Sequence, residues 1–369
     1  MSEMPPKPHV LFVTTGLGIG GAETLLLEVA KGVQAHGMAV TIVALQGNNP
    51  LTPRFVGAGL EVIELGASNR LPPLAALWKL RGLIKKRRIG FVQGWMYHGN
   101  VLAYYASKWA GLDTERQTAF GIFGVWPDMR TYGPVTGAIA KHGARLSNNV
   151  STTVYNAQAA AEDHHGRGYH AARCTVMGNC VDVEGFVHRP EERTRIRAEL
   201  GLDPSTPVAI IAARNHPQKN WPGTLAGLSR VKNLHVLAVG HETQALPAQP
   251  RLHRLGPRSD MAALYSASDF FVLASAFGEG TSLAMSEAMS CSLPAITTDI
   301  GDNALFAAQA GFTVPVDDAA ALKEKASVLS DDLALRTRLS KAARQCALDN
   351  FSATENVKPL LALYDKAMA

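Results

Sequence analysis

The stretch over residues 270–298 reads FFVLASAFGEGTSLAMSEAMSCSLPAITT and carries the clearest indication of the fold. Its first five residues predict a buried strand, its middle a polar turn and a helix, and its last four a second strand. Strand, turn, helix and strand form one βαβ unit with parallel strands. Ligands of such units bind outside the carboxyl ends of the strands. Two carboxylates, Glu279 and Glu287, bracket the start of the helix there.

The same alternation of short apolar runs and helical patterns recurs along the chain. It predicts an α/β protein with two Rossmann-like, doubly wound parallel sheets. The first series begins at Val10–Thr14, and a second begins at Val208–Ala213, after a polar stretch around residues 185–193. We therefore predict a first domain over residues 1–185, a second domain over 186–354 and a final helix over 355–369.

The composition is typical of a globular protein with a large core, with 369 residues that are 47% hydrophobic and 18% charged. The longest apolar runs are strand-sized, well below the ~20 apolar residues of a membrane-spanning helix. The N-terminus shows no charged segment followed by an apolar stretch, so a secretory signal is not expected. The four cysteines have no metal-ligand spacing, which favours the reducing cytoplasm.

The formal charge of +5 favours anionic ligands or an anionic membrane face. Nucleic acid is not an expected partner, because basic and aromatic residues are not interleaved as in nucleic-acid-binding proteins. The basic run Lys85–Arg88 closes a predicted helix over Leu74–Arg88. A basic last turn is common at helix ends, and the alternative is a patch that contacts anionic lipid at the inner face of the cytoplasmic membrane.

The segment Gly16-x-Gly18-x-x-Gly21 has the form of a dinucleotide fingerprint. That fingerprint requires an acidic residue after the second strand to hold a ribose hydroxyl, and residues 45–48 read Leu-Gln-Gly-Asn instead. A nicotinamide or flavin cofactor is therefore not expected. Glycines before a helix still allow backbone N–H groups to approach a phosphate; the alternative is a tight turn without a ligand.

Two cations follow the first strand of the second domain, at Arg214 and Lys219. From the carboxyl end of one strand they can converge on a diphosphate, with Arg binding bidentately and Lys acting as a point charge. Glu287 lies inside the helix and tilts toward its start, so Glu279 and Glu287 can bind hydroxyls of a polyol. The N–H groups of residues 280–282 would face an anion. The alternatives are solvated surface charges for Arg214, Lys219 and Glu287, and for Glu279 a residue that complements the helix dipole.

These residues resemble the family-4 retaining glycosyltransferases, which have the GT-B fold. The resemblance rests on the FGEGTSL-x-x-x-EAM segment around Glu279 and Glu287, and other matches fall in register along most of the chain. They are Gly20–Glu23, Gly178–Asp182, Arg214 with Lys219, Leu255–Asp260, Ala267–Asp269 and Pro294 with Thr298–Asn303.

The resemblance implies two Rossmann-like domains facing a deep interdomain cleft, with the C-terminal helix crossing back to the first domain. The first domain would bind the acceptor and the second the nucleotide-sugar donor. Arg214 and Lys219 would bind the donor's diphosphate and Glu279 the hydroxyls of its sugar. The other implied donor-site residues are Gly20 and Gly21 over the diphosphate, the amides of Gly280, Thr281, Ser282 and Leu283 beside it, Glu287 at the ribose and Arg258 near the base.

The co-substrate would be a UDP- or GDP-linked sugar, transferred with retention of configuration. The sequence has no Asp-x-Asp motif, and the nearest approach to one is Asp182-Val183-Glu184, so neither a divalent metal nor another cofactor is expected. Many members carry a His at the end of the fifth strand, and residues 118–126 contain none. His98, together with Asn100, could serve the acceptor instead.

We therefore predict a glycosyltransferase that acts on a glycan or lipid-linked acceptor in bacterial envelope polysaccharide or glycolipid biosynthesis. Two alternatives remain open at the level of sequence. One is a nucleotide-sugar epimerase of GT-B architecture, which would need further acid/base residues. The other is a non-catalytic partner subunit that binds the nucleotide sugar.

Overall fold

The computed structural model describes residues 7–66, 73–126 and 129–369. The chain forms two compact units. Unit 1 comprises Met1–Cys180 together with Ala353–Ala369, and unit 2 comprises Val181–Ser352. The chain thus changes unit after residues 180 and 352, whereas the domain boundaries predicted from the sequence lie after residues 185 and 354.

Unit 1 is built around a seven-stranded sheet in the order β3-β2-β1-β4-β5-β6-β7, in which all pairs are parallel. Its strands are β1 His9–Thr14, β2 Ala39–Ala44, β3 Glu61–Glu64, β4 Phe91–Trp95, β5 Thr118–Ile122, β6 Thr152–Tyr155 and β7 Cys174–Val176. Its helices are α1 Gly21–Ala35, α2 Thr52–Gly57, α3 Pro73–Lys86, α4 Met96–Ala110, α5 Thr114–Gln117, α6 Met129–Leu146 (interrupted at Gly133) and α7 Gln158–His165.

Unit 2 contains a six-stranded parallel sheet in the order β10-β9-β8-β11-β12-β13. Its strands are β8 Val208–Ala212, β9 His235–Val239, β10 Leu252–Gly256, β11 Phe270–Leu273, β12 Ala295–Thr298 and β13 Gly311–Val314. Its helices are α8 Pro190–Glu199, α9 Trp221–Leu228, α10 Met261–Ala267, α11 Leu283–Ser290, α12 Asn303–Ala310, α13 Ala319–Asp331 and α14 Leu333–Asn350.

The prediction of two doubly wound parallel sheets is confirmed. In both sheets the strand order reverses beside the first strand, between β1 and β4 in unit 1 and between β8 and β11 in unit 2. Ligands of open α/β sheets bind outside the carboxyl ends of the strands at such a reversal. The loops after these four strands are therefore where a site is expected.

The C-terminal segment returns to unit 1 because its apolar face completes the core there. It forms two helices, α15 Ala353–Asn356 and α16 Lys358–Met368, instead of the single predicted helix. Pro359 lies in the first turn of α16, where proline is tolerated, whereas inside a continuous helix it would remove a hydrogen bond. Tyr364 is fully buried, with its ring centroid 4.7 Å from that of Phe91. Across the described ranges, no helix is both long and apolar enough to cross a bilayer.

Candidate active site

The loops after β8 and β11 are joined by an ion pair between the two residues predicted to contact the diphosphate and the sugar. Lys219 Nζ lies 2.5 Å from Glu279 Oε1, and the two side chains are only 16% and 8% exposed. Because the pair is largely screened from water, the attraction is stronger than at an exposed surface. The structure therefore brings Lys219 and Glu279 together at the reversal point of the sheet.

Three further hydrogen bonds hold this pair in place. Ser275 Oγ donates to Glu279 Oε1 at 2.7 Å, and Gln218 Nε2 donates to the same oxygen at 3.4 Å and to the Gly278 carbonyl at 2.9 Å. Sequence reasoning missed both Ser275 and Gln218. Ser275 lies two residues after β11 and Gln218 next to Lys219, but neither position reveals a partner 4 or 61 residues away.

Arg214 occupies the surface of the same loop, two residues after β8. Its carbonyl accepts a hydrogen bond from Trp221 Nε1 at 3.0 Å, which fixes the backbone of the turn. The pKa of His216, between the two cations in sequence, is lowered by burial and then by the charges of Arg214 and Lys219. Both cations therefore lie close enough to His216 for their charges to affect it.

Ser282 begins α11 as its N-cap, with its Oγ accepting from Met285 N at 3.4 Å. The amide of Ser282 donates to Asn303 Oδ1 at 2.8 Å. This corrects its predicted role, because an amide engaged by a buried side chain does not face an anion. Gly301, at φ +62°, lies so close to this turn that a Cβ would come within 2.4 Å of the Glu279 carbonyl. The turn therefore requires glycine there.

Glu287 lies in the second turn of α11 and is half-buried, not a solvated helix charge. Tyr265, which is fully buried on α10, donates its hydroxyl to Glu287 Oε2 at 3.1 Å. Burial, and secondarily the Glu287 charge, raises the pKa of Tyr265 well above its usual range. Tyr265 thus remains a hydrogen-bond donor and orients Glu287, a role that sequence reasoning also missed.

Arg258, predicted to lie near the base, is engaged by two carboxylates. Its Nε and Nη2 bind Asp260 at 2.8 and 2.7 Å, and its Nη1 binds Glu199 at 3.0 Å. These hydrogen bonds raise the pKa of Arg258. The guanidinium is therefore committed to two carboxylates of unit 2, and its structural role is to fix the loop after β10.

In unit 1, Gly20 and Gly21 lie where the loop after β1 enters α1. Gly20 is the extended N-cap residue, and its carbonyl accepts from Thr24 N at 3.1 Å and Thr24 Oγ1 at 3.0 Å. Asn49 Oδ1 accepts from Leu17 N at 2.7 Å, which ties this loop to the segment after β2. The predicted glycine turn therefore lies at the reversal point of the unit 1 sheet.

The predicted acceptor residues have different environments. His98 lies in the first turn of α4, half-buried, and burial lowers its pKa. Asn100 is fully buried: its Oδ1 accepts from Gly121 N at 3.0 Å and its Nδ2 donates to the Gly121 carbonyl at 3.1 Å. This corrects the acceptor-binding prediction for Asn100, because its amide is used to join α4 to β5.

Aromatic rings occupy the end of β5, where the sequence lacks the expected histidine. The Phe123 ring centroid lies 4.0 Å from that of Trp95, and Trp95 Nε1 donates to the Ala22 carbonyl at 2.9 Å. Among residues 7–66, 73–126 and 129–369, no group of three or more His, Cys, Asp or Glu side chains could hold a metal ion.

Both halves of the chain match families of known proteins. A model described as "Glycosyltransferase Family 4" matches residues 19–184, and one described as "Glycosyl transferases group 1" matches residues 206–332. A curated Campylobacter jejuni protein, N,N'-diacetylbacillosaminyl-diphospho-undecaprenol alpha-1,3-N-acetylgalactosaminyltransferase, is 24% identical over 361 residues. That match covers 93% of this chain and 95% of the relative.

Two solved structures share the fold over almost the whole chain. A glycosyltransferase from Rickettsia africae superposes with a TM-score of 0.81 at 20% identity, covering 99% of each chain. The Anabaena protein HepE, solved in complex with UDP-glucose, superposes with a TM-score of 0.82 at 18% identity, covering 96% of this chain and 99% of HepE. At these identities the likeness shows a common architecture.

Proposed function

Because the chain belongs to the family 4 glycosyltransferases of the group 1 type, which have the GT-B fold, we propose that it uses a nucleoside-diphosphate sugar as donor. The transfer retains the configuration of the sugar, requires no divalent metal and serves envelope polysaccharide or glycolipid synthesis. The Campylobacter relative acts on a diphospho-undecaprenol-linked sugar, and we propose a lipid-linked or glycan acceptor here.

The observation that carries this proposal is the Lys219–Glu279 pair at the reversal point of the unit 2 sheet, 2.5 Å apart. Cleavage of the sugar–phosphate bond develops negative charge on the leaving diphosphate. Lys219, which is held by Glu279, and Arg214 would stabilise this charge, and such electrostatic stabilisation is usually the largest contribution to catalysis. Glu279, held by Ser275 and Gln218, would accept hydrogen bonds from sugar hydroxyls.

Residues of both units would supply the remaining donor and acceptor contacts. Glu287, oriented by Tyr265, would bind the ribose hydroxyls. Gly20 and Gly21 would contribute backbone N–H groups toward the diphosphate, as glycine turns before helices do for anions. His98, whose lowered pKa keeps it neutral at physiological pH, would accept a proton or a hydrogen bond from the acceptor hydroxyl.

The proposal is tested by incubating the purified protein with a panel of UDP- and GDP-sugars and undecaprenyl-diphosphate-linked sugars. We expect a glycosylated lipid with the donor's anomeric configuration, detected by NMR, and undiminished turnover in excess chelator. An inverted product would refute retention. Activity that disappears with chelator and returns with Mg²⁺ would refute metal independence.

A non-catalytic nucleotide-sugar-binding subunit is the second candidate, favoured by one observation. The ring of Phe123, just after β5, packs against that of Trp95 at the end of β4, and Asn100 is committed to Gly121, so unit 1 offers fewer polar groups for an acceptor. Calorimetric binding of a donor without any transfer product would support this candidate. Conversion of the donor to its epimer without transfer would instead indicate an epimerase.

A further inference from the structure

Helices α3 and α4 expose large apolar side chains on the outer face of unit 1. Leu74 is 74% exposed, Trp78 is 67% exposed and Trp109 is 48% exposed. Isolated exposed apolar residues are ordinary on protein surfaces. Leu74 and Trp78, however, are four residues apart on α3, so they lie one above the other on the same helix face.

Arg81 connects this face of α3 to Trp109 at the end of α4. The Arg81 guanidinium lies 5.3 Å from the centroid of the Trp109 ring, and its Nε donates to the Trp109 carbonyl at 3.3 Å. Arg81 is three residues after Trp78, so the two side chains are neighbours on α3. We name the α3–α4 surface by its members: Leu74, Trp78, Lys79, Arg81, Lys85, Lys86 and Trp109.

All charged side chains of this surface are positive. Lys79, Lys85 and Lys86 are exposed, and residues 65–112, which include all of α3 and α4, contain no Asp or Glu. Unit 1 as a whole carries 19 Lys and Arg against 12 Asp and Glu, whereas unit 2 carries 17 against 19. The positive charge of the protein is therefore concentrated in the unit that carries the exposed tryptophans.

We propose that the α3–α4 surface docks on a membrane containing anionic phospholipid. Tryptophan favours the level of the lipid headgroups, and a basic, aromatic helix face binds at that interface. The proposal rests on the proposed function, since it would place unit 1 beside a lipid-linked acceptor. Arg87 is not part of the surface, because its Nη2 binds Glu61 Oε1 at 2.6 Å.

Two other occupants fit the surface less well. In a symmetric dimer the same patch meets its copy, so the three lysines would face the like-charged patch of the second chain. Lysine is depleted in protein–protein interfaces, where tryptophan and arginine are enriched. Lysines with long flexible stems instead suit a headgroup layer, into which they can extend.

The first test measures binding to vesicles without nucleotide sugar or acceptor. We expect the protein to co-sediment with vesicles of equal parts phosphatidylcholine and phosphatidylglycerol, weakly in high salt and not with phosphatidylcholine alone. The triple variant Trp78→Ser/Lys85→Glu/Lys86→Glu should bind at least about tenfold more weakly, because each charge near the surface changes the partition several-fold.

The matched control places the same kinds of change on unit 2. Leu333 is 65% exposed, and Lys232 and Lys341 are exposed, so Leu333→Ser/Lys232→Glu/Lys341→Glu alters hydropathy and charge to a similar extent. We expect this control to retain most of the wild-type vesicle binding. Equal losses in the two triple variants would overturn the proposal, since only the net charge would then matter.

Fluorescence gives a local readout. Trp95 and Trp221 are buried, whereas Trp78 and Trp109 are exposed, so brominated phosphatidylcholine in the anionic vesicles should quench the wild type. The double variant Trp78→Phe/Trp109→Phe should lose most of this quenching. Three results would overturn the proposal: no binding to the anionic vesicles, unchanged quenching in the double variant, or a solution dimer that the triple variant dissociates. Donor binding is measured separately by calorimetry, so failure of docking and failure of the donor site are distinguishable.

Discussion

The loops after β8 and β11 in unit 2 carry a charged network, whereas the loops after β1 and β4 in unit 1 carry glycines and aromatic rings. Both pairs of loops lie where the strand order of a parallel sheet reverses. In unit 2, Lys219, Glu279 and Ser275 form one connected set. In unit 1, the Gly20–Gly21 turn is followed in sequence by Ala22, whose carbonyl accepts from the buried Trp95.

The same sheet topology can therefore present either charged side chains or backbone groups at its carboxyl edge. A charged group at a sheet edge needs partners from two loops to hold it, and unit 2 provides them. A glycine turn needs only room for a close approach. We infer that unit 2 carries the electrostatic part of the reaction and that unit 1 contributes backbone groups and shape, with His98 as its titratable side chain.

The largest expected effect comes from Lys219→Ala. The variant removes a cation that would stabilise the leaving diphosphate and leaves Glu279 buried without its ion-pair partner, so turnover should fall by about 10²- to 10³-fold. Donor binding, measured by calorimetry, should weaken as well. Lys232→Ala, at an exposed position of unit 2, is the control. Unchanged donor affinity and turnover in Lys219→Ala would show that unit 2 does not carry the electrostatic part of the reaction.

The pH dependence of stability tests whether the buried His164 stabilises the carboxyl edge of the unit 1 sheet. His164 is fully buried and accepts the Tyr97 hydroxyl at 2.8 Å, and burial lowers its pKa to about 4. Because the unfolded chain binds a proton there at a higher pH, stability is complete above about pH 6.5 and falls toward pH 4 by roughly 3 kcal/mol.

Urea unfolding at neutral and acidic pH measures this effect. The drop in the free energy of unfolding should be smaller in His164→Gln than in the wild type. Since Tyr97 stands next to His98 in the first turn of α4, acidification should also loosen the turn that carries His98. An identical pH dependence in the two proteins would show that His164 does not control the stability of unit 1.

Substitutions of Asn100 and His98 distinguish a structural residue of unit 1 from a residue that would act on the acceptor. Asn100→Ala leaves the N–H and carbonyl of Gly121 without their partner, so the free energy of unfolding should drop by about 2 kcal/mol. His98→Ala should change stability by about 1 kcal/mol or less and lower acceptor turnover roughly 10²-fold at unchanged donor affinity. If Asn100→Ala were stable and lost only acceptor affinity, Asn100 would be an acceptor-binding residue and not a structural one.

The smallest expected effect is that of Tyr265→Phe. Loss of one hydroxyl hydrogen bond costs about 1 kcal/mol, so KM for the donor should rise several-fold while kcat is unchanged, because the ribose contact is made equally before and during the reaction. Tyr105→Phe removes a comparable hydrogen bond, to His142 at 2.8 Å in unit 1, and should leave KM unchanged. Equal KM values in all three proteins would show that Tyr265 does not orient Glu287.

Much of the architecture could be predicted from local pattern. Apolar runs of strand length, separated by helical periodicity, require parallel sheets, and a polar turn after such a strand lies at the carboxyl edge. This was enough to place Arg214, Lys219, Glu279 and Glu287 at one edge of unit 2. It missed the short helix α2 and the break between α15 and α16, because helices of four to six residues leave little periodicity to detect.

Local sequence patterns were thus enough to predict the family, the two sheets and the loops that bear the candidate donor residues, since each of these depends on neighbours in the chain. Which side chains are committed elsewhere became clear only in the folded chain: Arg258 binds Asp260 and Glu199, and Asn100 binds Gly121. The folded chain also revealed the partners of the two carboxylates between Glu279 and Met289. Lys219 pairs with Glu279, and Tyr265 donates a hydrogen bond to Glu287. These partners lie 60 and 22 residues away along the chain, a separation that only folding brings within hydrogen-bond distance.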